Sequence, residues 1–305
     1  MARNPRYLPR PGAVIEITQR TIQGRFLLKP SRRLNAVVAG CLARAQKNTG
    51  ATVHAVAVLS NHFHLLASFT SVQQMASFVG QLKTNISKEV GRLHNWKGSL
   101  FDGRYSAVPL SDEPKIQLKR LRYVLSQGAK EGLVLSPLDW PGVHSARALV
   151  NRRKLRGVWV NRTDLYAARQ RNPKTREDQF TEQTELQLTA LPCLAHLSAK
   201  EQKRVVQDMI LAIEKETLER HRRSGTAPAG AEAVTRRRAH DRPKHFRPMP
   251  RPHFHASKEL LRVLTDGFRL FLTAYRRAAD RLAAGELSVV FPDNCFPPRC
   301  PSSRP

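Results

Sequence analysis

The residues most able to do chemistry are His62 and His64, which bracket Phe63 at the end of the run Ala55-Val56-Ala57-Val58-Leu59-Ser60-Asn61 and are followed by Leu65-Leu66. In a β-strand, side chains alternate with period two, so both imidazoles project from one face while Phe63 enters the core on the other. Two imidazoles on one face form half of a divalent-cation site. The chain around them carries 52 Lys+Arg against 24 Asp+Glu, a formal charge of +28. The natural anion to meet a metal in such a chain is nucleic-acid phosphate.

Composition narrows the class. At 305 residues with 41% hydrophobic content, the chain can bury one large or two modest cores. No apolar stretch reaches the roughly 20 residues that span a bilayer, and no apolar signal core follows Arg3 and Arg6, so no membrane association is expected. Cys41, Cys193, Cys295 and Cys300 are scattered without a CxxC pair. That argues against structural zinc or a disulfide framework, and for a reduced, cytoplasmic, nucleoid-associated protein.

Periodicity supplies the elements that must hold the histidines. Ala13–Thr18 reads as a strand. A helix starts at Pro30-Ser31, with Leu34, Val37, Val38, Cys41, Leu42 and Ala45 on its apolar stripe, and runs toward Gly50. Thr52–Leu59 and His62–Ser68 read as a hairpin around Ser60-Asn61. Ser71 caps a long helix bearing Met75, Phe78, Val79, Leu82, Ile86 and Val90, which ends near His94-Asn95. Arg104–Leu110 reads as a fourth strand, and a helix from Ser111 carries Ile116, Leu118, Leu121, Val124 and Leu125 to Gly128. The order βαββαβ with a trailing helix predicts an α+β, ferredoxin-like sandwich over residues 1–150. Beyond it the chain predicts a basic, mainly helical region: a helical extension over 151–220, a disordered basic linker over 221–256, and a C-terminal helix with a Pro-rich tail over 257–305.

The segment Ser60-Asn61-His62-Phe63-His64-Leu65-Leu66 joins Gly98-Ser99-Leu100-Phe101-Asp102-Gly103-Arg104-Tyr105, Leu121-Arg122-Tyr123-Val124-Leu125, Lys130-Glu131-Gly132-Leu133-Val134 and Trp140-Pro141 in one order. Together these motifs resemble the IS200-like single-tyrosine (HUH) transposases, including relatives associated with repetitive extragenic palindromes, over residues 13–150. The resemblance implies that His62 and His64 bind Mg²⁺ or Mn²⁺, which polarises the scissile phosphate of single-stranded or hairpin DNA. It also implies a tyrosine, on the helix after the histidine strand, that attacks to leave a 5′-phosphotyrosine. On that alignment the tyrosine position falls at Ile86, and no tyrosine lies between Tyr7 and Tyr105. A hard cation prefers oxygen ligands. Asn85 and Glu89, one turn apart on that same helix, are the candidate third ligands.

Other residues extend the reading. Trp96, Arg104 and Tyr105 are candidates for stacking on unpaired bases, and Lys83, Arg92, Arg152, Arg153 and Lys154 for phosphate contact. His253-Phe254-His255 repeats the HxH pattern inside a Pro-rich basic run and reads as a solvated or phosphate-contacting segment. Tyr123 reads as a buried helix residue, His54 as a core or sheet-surface histidine. The leading reading is a transposase-like protein that binds structured single-stranded DNA and is catalytically silent for want of the tyrosine. A homodimer, in which the helix after the histidine strand completes a neighbour's site, stays open. So do an active metal-dependent nuclease or transposase using water or another nucleophile, and a non-enzymatic RNA-binding protein.

Overall fold

The computed structural model describes residues 5–243 and 252–298. Cys300, the tail beyond residue 298 and the centre of the Arg/Pro run lie outside them. The first half follows the order Val14–Arg20 (β1), Arg32–Thr49 (α1), Thr52–Val58 (β2), His62–Ser68 (β3), Val72–His94 (α2), Ser106–Pro109 (β4) and Pro114–Leu125 (α3). The four strands form an antiparallel sheet in the order β2-β3-β1-β4, which is the ferredoxin-like arrangement. Local chemistry explains the boundaries. Ser31 and Ser71 accept from backbone N–H groups in the first turns of α1 and α2, and Gly50 and Asn95 close those helices in the left-handed conformation.

Alternation divides the sheet into two chemically different faces. Ile15, Ile17, Phe63, Leu65 and Ala67 pack with Val38, Leu42, Phe78, Leu82 and Ile86 of α1 and α2. Val14, Ala55, Ala57 and Leu66 face the other way, against Leu121, Val124 and Leu125 of α3. His62 and His64 share the parity of Leu66. Their register partners Arg20 and Thr18, with Glu16 opposite Leu66, therefore lie on that same α3 face.

The second half departs from a helical extension with a disordered linker. It contains Ser145–Asn151 (α4), Leu155–Val160 (β5), Arg162–Arg171 (α5), Thr181–Leu186 (β6), Ala199–Ser224 (α6), Ala231–Arg236 (α7) and Lys258–Ala283 (α8). Strands β5 and β6 form an antiparallel hairpin laid on α1. Gly40 permits the approach, because a Cβ there would stand 1.9 Å from the Val158 carbonyl oxygen. The hairpin hides from sequence patterning: β6 reads Thr-Glu-Gln-Thr-Glu-Leu and buries only Leu186. Helix α6, opened by a Ser198/Glu201 capping box, lays Val206, Ile210 and Ile213 over the α3 face.

Residues 221–243 are packed against the body of the fold. Ala229 and Gly230 donate backbone hydrogen bonds to Gly132 and Leu133 carbonyls, both at 2.9 Å, and Val234 is buried in the second core. The HxH run at 253–255 is likewise not a solvated stretch, since Phe254 is buried with Phe268 and Phe271. Its basic, Pro-rich composition masked the few apolar anchors that hold it. Among the described residues no helix is long and apolar enough to cross a membrane.

Candidate active site

His62 and His64 stand side by side on β3, with ring centroids 5.1 Å apart. The Nδ1 of each ring is already taken by oxygen. Asn61 Oδ1 lies 2.7 Å from His62 Nδ1; Thr18 Oγ1 and Glu16 Oε1 lie 3.1 and 3.2 Å from His64 Nδ1. These contacts favour the Nδ1–H tautomer and leave both Nε2 lone pairs to accept a metal. Burial pushes His62 well below its usual pKa, and the nearby charges of His64, Arg20 and Lys130 add to it; Gln127 pulls weakly the other way. Burial also lowers His64, with Glu16 opposing. Both rings are thus held in the neutral, ligating form.

The helix facing them is α3, not α2. Tyr123 sits edge-on to His64 with centroids 5.3 Å apart. The Arg120 guanidinium lies 3.9 Å and the Lys130 ammonium 3.8 Å from the centre of the Tyr123 ring. One turn on, Gln127 donates from Nε2 to the Tyr123 carbonyl at 2.9 Å. Its Oε1 is buried, makes no hydrogen bond of good geometry, and has only a weak contact with His62, the one that opposes the lowering of that ring's pKa. An under-satisfied buried carbonyl oxygen is costly unless something is meant to meet it. Two imidazole nitrogens and this amide oxygen fit a divalent cation of mixed N/O preference. Among the described residues no cluster of three His, Cys, Asp or Glu is placed to hold a metal, so an amide is the available third donor.

Asn85, Ile86 and Glu89 do not reach this site. They lie on α2, which packs against the Phe63 face of the sheet, while the histidines point to the other face. Ile86 is buried in the first core, and Glu89 is taken by Arg162, at 2.6 Å, and by Arg92. The positions aligned on α2 therefore lie across the sheet from the two histidines. The sequence signal for this side of the sheet is Tyr123 and Gln127, four residues apart in the last turn of α3 and just past its end. Tyr123 is half-buried rather than lost in the core.

The nucleic-acid candidates are scattered by the fold. Tyr105 has its ring covered by the Arg6 guanidinium at 3.6 Å, and Lys83 lies near it, donating to the Gly103 carbonyl. Burial raises the Tyr105 phenol and lowers Lys83. Trp96 packs beside Arg25 and His240 and donates to the Ser99 carbonyl. Arg92 is paired with Glu89. Arg152, Arg153 and Lys154 rim a separate cavity of about 160 Å³ together with His54. His54 is a buried structural residue whose ring bonds Ser68 and the Thr189 and Ala190 carbonyls. Positive charge beside the histidines comes instead from Arg20, Arg120 and Lys130.

Residues 27–127 match the family described as transposase IS200 like. This stretch carries an IS200-like transposase domain, and it contains His62, His64, Tyr123 and Gln127. Among solved structures, the chain is similar to a REP-associated tyrosine transposase bound to a REP hairpin. That similarity is at 16% identity, covering 50% of this chain and 87% of the other, with a TM-score of 0.41. It is also similar to a candidate transposase from Deinococcus radiodurans R1, at 16% identity over 40% and 95% of the two chains, with a TM-score of 0.28. A comparison with curated proteins found no match.

Proposed function

We propose that this protein is an active, metal-dependent single-strand DNA transposase or endonuclease in which Tyr123 is the nucleophile. The observation that carries this reading is the juxtaposition of Tyr123 with His64, 5.3 Å between ring centroids, with the buried, under-satisfied Gln127 Oε1 beside His62. The catalytic silence inferred from Ile86 loses its basis once the tyrosine is sought on α3.

His62 Nε2, His64 Nε2 and Gln127 Oε1 are the donors that would hold Mg²⁺ or Mn²⁺. Such a cation supplies Lewis-acid stabilisation of the charge that builds on a phosphate oxygen. The Tyr123 oxygen attacks phosphorus, the bond to the 3′ oxygen breaks, and the phenol proton is balanced by the one gained by the leaving hydroxyl. A 5′-phosphotyrosine conserves the ester for rejoining. Arg120 and Lys130, flanking the Tyr123 ring, attract the incoming phosphodiester and oppose its negative charge. One chain carries the whole set, so α2 of a second copy is not needed to complete the site. The substrate class is single-stranded or hairpin DNA, supported by the excess of basic residues and by the transposase domain.

The test is incubation with labelled single-stranded hairpin DNA and Mn²⁺, then denaturing electrophoresis of wild type and Tyr123→Phe. A covalent adduct that vanishes in Tyr123→Phe is expected. Cleavage without an adduct would move the reading to an activated water. DNA binding with neither product would return it to a silent binding protein, and preference for RNA would remove it from this class.

A further inference from the structure

We propose that His255, in the C-terminal extension, is a positioning residue for His64, acting through the buried carboxylate of Glu16; this rests on the metal-site reading above. Glu16 has a side chain only 4% exposed, and its two oxygens have divided duties. Oε1 meets His64 Nδ1 at 3.2 Å, whereas Oε2 takes Arg120 Nη2 at 2.6 Å and His255 Nε2 at 3.0 Å. The carboxylate is thereby tied at one end by two donors and presents its other end to His64.

The extension is built to hold His255 there. The His255 N–H donates to the Pro109 carbonyl at 2.9 Å, and the His255 carbonyl accepts from Ser111 N–H at 2.8 Å, closing the outer edge of β4. Phe254 anchors the preceding position among Tyr7, Phe268 and Phe271, and Ser257 N–H donates to Glu113 at 3.0 Å. Without His255, Arg120 alone would restrain Oε2. A guanidinium fork readily engages both oxygens of a carboxylate, which would turn Oε1 away from His64. A lone pair of a buried anion would also lose its donor. His64 would then be free to swing, and its Nε2 would no longer be aimed at a shared cation. The segment responsible lies far outside residues 27–127, so the extension is part of the catalytic centre rather than an appendage to it.

The experiment is Mn²⁺ titration of the full-length protein, followed by the electron paramagnetic resonance of free Mn²⁺, for wild type, His62→Ala, His255→Ala and His255→Gln. Outer partners of metal-ligating histidines are typically worth about 10–100-fold in affinity, and His255, one residue further removed, is expected at about tenfold. His255→Gln, whose amide N–H can reach Glu16, is expected to restore most of that loss. The His64 Nδ1–H proton resonance of the metal-free protein is expected to be protected in wild type and in His255→Gln, and lost in His255→Ala. If His255→Ala does not fold, His255→Asn, too short to reach Glu16, takes its place with the same expectation. Unchanged Mn²⁺ affinity in a folded His255 variant, beside a loss in His62→Ala, overturns this proposal alone. Equal binding by wild type and His62→Ala overturns both it and the metal site.

Discussion

The Gln127 side-chain amide is tied by its nitrogen to the backbone carbonyl of Tyr123, at 2.9 Å, which leaves its oxygen turned toward His62. The proposed nucleophile and the proposed third donor are thus fixed to one another through the turn that ends α3. Whatever moves one moves the other.

Replacing Gln127 with Ala is therefore expected to raise the Mn²⁺ concentration for half-maximal adduct formation by about tenfold or more. Gln127→Glu, with a charged oxygen in the same place, is expected to lower it, because hard cations favour carboxylates. Adduct yield against Mn²⁺ concentration measures both. If both variants follow the wild-type curve, the cation is held elsewhere.

Asn85→Ala and Glu89→Ala are expected to leave Mn²⁺ dependence untouched, since α2 covers the opposite face. Glu89→Ala has a different cost. It strips the half-buried Arg162 of two charged contacts, a loss of about 2 kcal/mol. A lower urea midpoint with unaltered metal response is the expected pair of results.

Gly128→Ala probes the turn that aims Gln127. Gly128 has φ +88°, and a Cβ there would stand 2.7 Å from the Trp140 ring, which is itself held by donation to the Val58 carbonyl. Both strain and overpacking oppose the methyl group, at about 2–3 kcal/mol together. Thermal unfolding should show that loss, and adduct formation should fall more than in an equally destabilised variant of α8.

Acid stability has a separate signature. His144 is buried at the start of α4, where its Nδ1 accepts from Ala146 N–H, and burial lowers its pKa to about 4. An unfolded histidine binds its proton near pH 6.5, so unfolding takes up a proton between there and about 4. Stability conferred by the neutral ring is whole above 6.5 and lost as pH falls through that window, about 3 kcal/mol in all. Glu16, held far below the usual carboxylate range by His255, His64 and Arg120 against the cost of burial, loses its share only below about 4.5. His144→Asn, which keeps an acceptor for the cap, is expected to flatten the upper part of the stability–pH curve and leave the lower part.

Much of this fold is readable along the chain, for physical reasons that are local. Ser31, Ser71 and Ser198 announce helix starts, Gly50 and Asn95 announce stops, and alternation at 62–68 puts both histidines on one face. What was not readable is equally specific. The β5–β6 hairpin carries little apolar patterning because α1 meets it through a bare Gly40. Residues 221–243 and 252–257 look solvated because a handful of anchors, Val234 and Phe254 among them, do the holding.

The candidate site divides along the same line. Period-two geometry and the basic excess are properties of the sequence, and they sufficed to single out His62 and His64 and to point to phosphate. Which helix faces those rings is not a local property. It depends on the handedness of two crossovers, which set α1 and α2 against the Phe63 face and leave α3 to cover the histidines. Only the tertiary structure could therefore bring Tyr123 and Gln127, rather than Ile86 and Glu89, beside those rings. Only it could bring Glu16 and His255, 239 positions apart, onto the same imidazole's support.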